Sequence, residues 1–152
     1  MMTTEYSALD VANYFLYKAQ EATEEDHELI SNLKLQKLVY YAQGLFMAVH
    51  GKRLFSDKIE AWVYGPVVPE LYYHYKECQS KGIRADKNFN PSMIDKETKK
   101  FLDEIYEAFG QYSAISLMNL AHSDRCWIEA GIRNEISCVS MGNCLKKYLR
   151  NE

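Results

Sequence analysis

Three consecutive residues, His122, Ser123 and Asp124, carry the side-chain types of a hydrolase triad. In such a triad the nucleophile, the base and the residue that orients the base approach one another from different directions, which neighbours along a chain do not do. A helix that ends at His122, followed by Ser123 or Asp124 capping the next helix, explains the same residues. We therefore expect no catalytic triad at this position.

A thiol nucleophile is the second candidate, because Cys126 lies beside Trp127 and close to His122 in the sequence. A reactive thiol needs a base within hydrogen-bond reach and a lowered pKa. Cysteines without these features are usually buried and inert. We expect Cys126 to be of the inert kind.

Metal and cofactor sites have characteristic spacings that this sequence lacks. The cysteines at 78, 126, 138 and 144 form no C-x-x-C pair, and the histidines at 27, 50, 74 and 122 are not placed beside them as zinc ligands. The glycines are never closer together than Gly44 and Gly51, so a phosphate-binding loop is absent. We therefore expect reduced cysteines, no metal and no cofactor.

One enzyme hypothesis stays open. Glu60, Trp62 and Tyr64 alternate along a short β-prone run, and with His122 they could line a small aromatic cleft for a ligand. A carboxyl and an imidazole group can also move protons on a bound molecule. The alternative is that Glu60 is exposed or paired with a neighbouring Lys or Arg.

A binding hypothesis comes from one helix face. Lys34 and Lys37 are one helical turn apart, and we assign Tyr41 to the same face. A surface of cations and tyrosine is suited to grip an acidic partner, and Gln36 and Tyr40 flank it. We predict that this face is exposed and binds a partner. The competing interpretation places Tyr41 in the core and leaves the two lysines to solvate the helix.

Length and composition bound the remaining possibilities. The 152 residues fit one domain, 1–152, and 47% hydrophobic with 26% charged residues is an ordinary globular composition. No apolar run approaches the ~20 residues of a membrane span, and the first residues show no secretory signal, so we expect a cytoplasmic protein. A net charge of -3 gives no electrostatic case for direct DNA binding. Acidic residues concentrate between Glu24 and Glu28, which predicts an acidic edge or a solvated connection.

The pattern of apolar residues, caps and breakers predicts a mainly α fold. We expect a single compact domain of about six helices with one short β-strand or hairpin element. The predicted elements are helices at about 7–22, 32–50, 69–81, 96–109 and 114–121, a turn of helix near 127, a strand at 59–64, an extended segment at 136–139 and a last helix from 140. The second helix should be the central element, with Leu38, Ala42, Leu45 and Phe46 buried.

Two sequence blocks carry a family resemblance. Residues 34–44 read Lys-Leu-Gln-Lys-Leu-Val-Tyr-Tyr-Ala-Gln-Gly, and residues 60–72 read Glu-Ala-Trp-Val-Tyr-Gly-Pro-Val-Val-Pro-Glu-Leu-Tyr. In this order and this close together, they strongly resemble the two signatures of the Panacea domain family, which includes SocA-like antitoxins and phage-associated GepA-like proteins. A weaker third block covers 121–123 and Trp127, with Cys126 where the family usually has proline.

The resemblance implies an antitoxin that is not an enzyme. It would bind and neutralise a cognate toxin encoded by the adjacent gene, or deliver that toxin to a housekeeping protease as a proteolytic adaptor. Many relatives carry an additional DNA-binding domain, which we do not expect here. We assign partner binding to Lys34, Gln36, Lys37, Tyr40, Tyr41, Glu60, Trp62 and Tyr64, and a structural role in the signature to Leu35, Leu38, Gly65, Pro66, His122 and Trp127.

Overall fold

The structure, a computed structural model, describes residues 2–23, 29–78 and 81–149. Helices and one small hairpin follow one another within these ranges: α1 (Ala8–Ala22), α2 (Asn32–His50), β1 (Glu60–Trp62), β2 (Gly65–Val67), α3 (Pro69–His74), α4 (Lys96–Phe109), α5 (Ala114–His122), α6 (Arg125–Ala130) and α7 (Cys138–Leu145). The predicted mainly α fold with one small β element is confirmed. The acidic stretch from Glu24 to Glu28 lies outside the described residues.

Side-chain caps fix the starts of the helices that the sequence predicts best. At α1, Ser7 and Asp10 form a reciprocal capping box, in which each backbone N–H donates to the other side chain at 3.1 Å and 3.0 Å. Ser31 caps α2 and Asp95 caps α4. Gly51 ends α2 with a left-handed φ of 69°, a conformation that glycine adopts without strain.

Helix α2 occupies the centre of the molecule. It packs against α1, α3, α4, α5, α7 and strand β2. Leu38, Ala42, Leu45 and Phe46 are buried, as the sequence predicts. Because other elements surround α2 on several sides, residues from Leu35 to Met47 are buried around its whole circumference, polar side chains included.

Strands β1 and β2 form an antiparallel hairpin with a two-residue turn. Trp62 pairs with Gly65 at its end, which leaves Val63 and Tyr64 as the turn residues. The other edge of β1 is covered by a later segment of the chain, since the Ala61 N–H donates to the Asn134 carbonyl at 2.9 Å. The hairpin is therefore fixed on both sides of β1.

Two elements differ from the sequence prediction. Helix α3 ends at His74 and continues as a 3-10 turn over Lys76–Cys78, so it is shorter than the periodicity indicates. Helix α7 begins at Cys138 with Ser137 as its cap, so the predicted extended segment holds for 136–137 only, and the last helix begins earlier than the predicted start at 140. The serine three residues earlier offers the same capping chemistry, and Ile136 and Cys138 are buried.

No helix in these described ranges has both the length and the apolar character needed to cross a membrane. Within the same ranges, no group of three or more His, Cys, Asp or Glu side chains is arranged to hold a metal ion.

Candidate partner-binding site

The helix face predicted to be exposed lies inside the protein. Lys37 and Tyr41 are both 0% exposed, and Gln36 and Tyr40 are buried with them. The prediction that this face of α2 contacts solvent is therefore wrong for Lys37 and Tyr41, and the flanking Gln36 and Tyr40 are buried as well. The physical reason is the central position of α2, which has neighbouring elements on the side that a peripheral helix would turn to water.

Lys34 is half-buried and is already bonded within the chain. Its Nζ donates a hydrogen bond to the Gly110 carbonyl at 2.7 Å, which ties the start of α2 to the end of α4. Burial lowers the pKa of this amine. Lys34 therefore joins two helices in addition to any contact it makes with a partner.

Gln36 connects α2 to the junction between strand β2 and helix α3. Its Oε1 accepts from the Val68 backbone N–H at 2.9 Å, and its Nε2 donates to Asn32 Oδ1 at 2.9 Å. Asn32 in turn donates to the Tyr72 carbonyl at 3.2 Å. The amide of Gln36 thus sets the position of the hairpin and of α3 relative to the central helix.

Tyr40 and Tyr41 converge on one buried carboxylate. Oδ2 of Asp124 accepts from both hydroxyls, at 2.8 Å and 3.0 Å, and Oδ1 accepts from Tyr148 at 2.9 Å. Lys147 Nζ lies 3.0 Å from Oδ1 and supplies a balancing charge. The carboxylate is 0% exposed, so these four donors replace its hydration.

The environment of Tyr41 favours its neutral hydroxyl. Burial, followed by the adjacent Asp124 charge, raises the pKa of Tyr41 far above its ordinary value. Its ring also stacks on Phe109, with ring centroids 4.3 Å apart and planes at 6°. These contacts make Tyr41 a core residue, as the competing interpretation of the sequence proposes.

The role of Asp124 is the one that is hardest to predict from the sequence. It was expected only as a cap, and it occupies the N-cap position of α6 but makes no side-chain capping hydrogen bond. Its carboxylate faces Tyr40, Tyr41 and Tyr148 instead. No local pattern connects positions 84 residues apart, such as Tyr40 and Asp124, although an excess of tyrosines hints at buried hydroxyls that need acceptors.

The hairpin end is held by two aromatic side chains from the second half of the chain. Trp127 Nε1 donates to the Trp62 carbonyl at 2.9 Å, and His122 Nε2 lies 2.9 Å from the Val63 carbonyl oxygen. The His122 and Trp127 rings contact each other at 4.5 Å between centroids. The turn is therefore anchored through its backbone, and its side chains are left outside.

An exposed aromatic surface surrounds this turn. Val63, Tyr64 and Tyr73 are 61%, 67% and 56% exposed. Trp62 and Tyr72 lie half-buried between them, with the Trp62 ring 5.1 Å from Tyr72 and 6.0 Å from Tyr73. Together with Arg133, these residues form what we call the hairpin surface: Trp62, Val63, Tyr64, Tyr72, Tyr73 and Arg133.

Arg133 adds a cation to the hairpin surface. Its guanidinium carbon lies 4.3 Å from the centroid of the Trp62 ring, which is cation–π geometry. Arg133 has a φ of 74°, unusual for a residue with a side chain, and its N–H donates to the Ala61 carbonyl. The backbone therefore holds this arginine over the tryptophan at some conformational cost.

Lys37 lies beneath the same turn. A Cβ placed on Gly65 would be 2.7 Å from Lys37 Cε and 3.4 Å from Nζ, so the amine runs directly under the hairpin backbone. Among the described residues, Lys37 Nζ has no hydrogen-bond partner. Burial lowers the pKa of this amine to about 7.

The residues of the enzyme hypothesis do come together at the hairpin, but their polar atoms are used internally. Glu60 Oε1 accepts from Trp62 Nε1 at 2.9 Å, and the imidazole of His122 is bonded to the turn. Tyr64 is an exposed residue of the turn. This arrangement is better suited to a binding surface than to a proton-transfer site.

Cys126 has the environment of an inert thiol. It is 2% exposed, and its Sγ lies 3.3 Å from the Tyr40 hydroxyl. Burial, followed by the neighbouring Cys144, raises the pKa of the Cys126 thiol, which is opposite to what a thiolate nucleophile needs. All four cysteines are unpaired thiols, and Cys126 and Cys138 are buried.

The likeness to known proteins coincides with this part of the fold. A protein of Caulobacter vibrioides (strain NA1000 / CB15N) named "Antitoxin SocA" is 31% identical over 104 residues, which are 62% of this chain and 55% of that protein. The chain thus spans about half the length of this relative. No solved structure matches the chain. The family described as "Antitoxin SocA-like, Panacea domain" matches residues 35–128, which run from α2 through the hairpin to α6. The chain belongs to this SocA-like Panacea domain family.

Proposed function

We propose that this protein is an antitoxin that binds a toxin protein through the hairpin surface and neutralises it in the cytoplasm. The family and the name of the similar Caulobacter protein support an antitoxin role. The observation that carries the location is the exposed turn, because Val63 and Tyr64 project from a backbone that His122 and Trp127 hold in place. Side chains on a fixed scaffold lose little entropy when a partner binds.

The composition of the hairpin surface suits tight protein recognition. Tyrosine, tryptophan and arginine dominate the energetics of interfaces, and Trp62, Tyr64, Tyr73 and Arg133 lie together here. Of the residues first assigned to partner binding, Trp62 and Tyr64 belong to this surface and Glu60 supports it through Trp62. Below this surface, Gln36 bonds to the segment after the hairpin and Tyr40 and Tyr41 bond to Asp124 of α6, whereas the Lys37 amine makes no hydrogen bond to the described residues.

The role is binding and not catalysis. One oxygen of Glu60 bonds to Trp62 and one nitrogen of His122 bonds to the turn, so both side chains already support the hairpin. Thermal shift against a metabolite collection tests this directly, because a specific ligand stabilises the native state in proportion to the logarithm of its concentration. A ligand whose turnover is lost in a folded His122→Ala variant would contradict the binding role.

Co-expression with the product of the adjacent gene tests the antitoxin role. We expect that product to stop growth when expressed alone and to be neutralised by this chain. Tyr64→Ala and Tyr73→Ala should each weaken the complex by about tenfold or more, as anchor residues do. Tyr112→Ala is the matched control, since Tyr112 is 44% exposed in the turn between α4 and α5.

Two results would contradict the proposal at different levels. If the neighbouring product is harmless, or if this chain does not rescue growth, the antitoxin role is wrong. If rescue occurs but Tyr64→Ala and Tyr73→Ala bind like Tyr112→Ala, the role stands and the hairpin surface is not the site. Measuring toxin abundance during rescue separates direct neutralisation, which leaves the toxin present, from delivery to a housekeeping protease, which removes it.

A further inference from the structure

Lys37 carries one of two buried side-chain polar groups that lack a hydrogen-bond partner among the described residues, the other being the Tyr75 hydroxyl. Its side chain is 0% exposed, and its amine has no hydrogen-bond partner among the described residues. Buried amines in proteins are normally paired with a carboxylate or with several acceptors, because removing an unpaired charge from water is very costly. The Lys37 amine is therefore removed from water without an acceptor among the described residues.

The ionisable groups around this part of α2 are committed to other contacts. On β1, Glu60 accepts from Trp62, and on α5, His122 is bonded to the Val63 carbonyl. At the start of α6, Asp124 is saturated by three tyrosine hydroxyls and Lys147. On α3, Glu70 is exposed. Desolvation is the cause that lowers the pKa of Lys37, and no carboxylate among the described residues compensates for it.

The backbone of Gly65 covers Lys37. Gly65 lies directly above the aliphatic end of the lysine, and it contributes backbone without a side chain. Its φ of 108° is a conformation that glycine adopts readily. The adjoining turn residues, Val63 and Tyr64, are exposed and belong to the hairpin surface. The amine is therefore one layer of backbone away from the surface at which we place the partner.

The geometry points to Lys37 as the receptor for a side-chain carboxylate of the bound toxin, presented at the hairpin turn beside Gly65. This inference rests on the proposed function and names the chemistry of its contact. An aspartate or glutamate that reaches the amine as the Gly65 backbone shifts supplies the partner that the described residues do not provide, in a site from which water is excluded. Aromatic side chains of the hairpin surface would then ring the ion pair, as neutral contacts ring the centre of many interfaces.

Binding should be coupled to protonation of Lys37. With a pKa of about 7, the amine is largely neutral in the free chain at pH 8, and it must be charged to pair with a carboxylate. We expect uptake of about one proton per complex at pH 8 and a fall in affinity as the pH rises above 7. Titration calorimetry in two buffers of different ionisation enthalpy measures the proton count.

Lys37→Met is the decisive variant, because methionine fills similar space without a charge. It should weaken toxin binding by about 30-fold or more, since it leaves the toxin carboxylate buried and unpaired, and it should abolish the proton uptake. Lys100→Met removes one exposed charge from α4 and serves as the control for net charge. Neutralising the correct toxin acid should make the parent and Lys37→Met bind alike, as a double-mutant cycle requires.

The outcomes separate the two proposals. If the parent binds the toxin but Lys37→Met binds equally well with the same proton uptake, the carboxylate receptor is wrong and the antitoxin role remains. If the parent does not bind the neighbouring product at all, both proposals are wrong. A Lys37→Met protein that is folded and at least as stable as the parent, yet binds weakly and without proton uptake, supports the receptor.

Discussion

Tyr41 on α2 and Asp124 at the start of α6 are joined by a 3.0 Å hydrogen bond across 83 residues of sequence. The same carboxylate also accepts from Tyr40 and from Tyr148 near the end of the described chain. One buried side chain therefore links the central helix to the start of α6 and to the 3-10 turn Lys146–Leu149 that follows α7. The hydrogen bonds are worth most as a set, because each donor left alone would be buried without an acceptor.

Removing this carboxylate should destabilise the fold strongly. We expect Asp124→Ala to lower the free energy of unfolding by about 3–5 kcal/mol, because it orphans the tyrosine hydroxyls and Lys147. Urea unfolding measures the loss. Glu129→Ala, which breaks an exposed pair with Arg125, should cost less than about 0.5 kcal/mol. A cost near that of the control would show that the cluster contributes little.

The Lys37 amine should make stability depend on pH in a known direction. Its folded pKa of about 7 lies below the ordinary value of 10.5, so the unfolded chain binds more protons between these values. Stability should therefore rise with pH from about 7 to 10.5. Lys37→Met should raise the free energy of unfolding by about 2–4 kcal/mol at pH 7, and this gain should shrink at higher pH. Denaturant unfolding at pH 6, 8 and 9.5 checks the trend, and a gain independent of pH would contradict it.

Alanine substitutions at Gly65 and Gly51 compare the cost of a steric clash with the cost of a positive φ. Gly65→Ala places a Cβ 2.7 Å from Lys37 Cε in addition to straining a positive φ, whereas Gly51→Ala strains a positive φ in open space. We expect a loss of about 1 kcal/mol at Gly51 and about 2–3 kcal/mol at Gly65. Thermal unfolding of both variants measures the difference. Equal losses would mean that Lys37 moves aside without cost.

The indole of Trp127 should control how firmly the hairpin is held. Trp127→Phe keeps an aromatic ring against His122 but removes the hydrogen bond to the Trp62 carbonyl. We expect a loss of about 1 kcal/mol in stability and faster hydrogen exchange of the hairpin amides. Exchange in α4, which does not depend on this bond, is the internal control. Unchanged exchange in the hairpin would show that His122 alone fixes the turn.

Local chemistry explains why much of the fold could be predicted. Ser7 with Asp10, Ser31 and Gly51 mark helix ends through contacts a few residues apart, and the sequence displays such contacts directly. The apolar spacing of α2 likewise identifies Leu38 and Ala42 as core residues. The cap of α7 was misplaced because Ser137 and Ser140 both satisfy the local rule.

The candidate site depended on information that is not local. A lysine one turn from another lysine suggests a solvated face, and nothing near Lys37 in the sequence indicates that the hairpin will cover it. Tyr40 and Tyr41 both enter the core, where Asp124 offers both hydroxyls an acceptor. A partner more than eighty residues away decides the outcome for the two tyrosines, and a hairpin later in the chain decides it for Lys37.

The hairpin turn separates stability from recognition. Val63 and Tyr64 are held through backbone atoms, while their side chains project outward, so replacing them should alter stability by less than about 0.5 kcal/mol. Residues below the turn, such as Gln36, Trp127 and Asp124, are constrained by several partners each. Val63 and Tyr64 can therefore be replaced during evolution without loss of the fold. Under the proposed function, this turn is the place at which a library of variants would be built to change the partner.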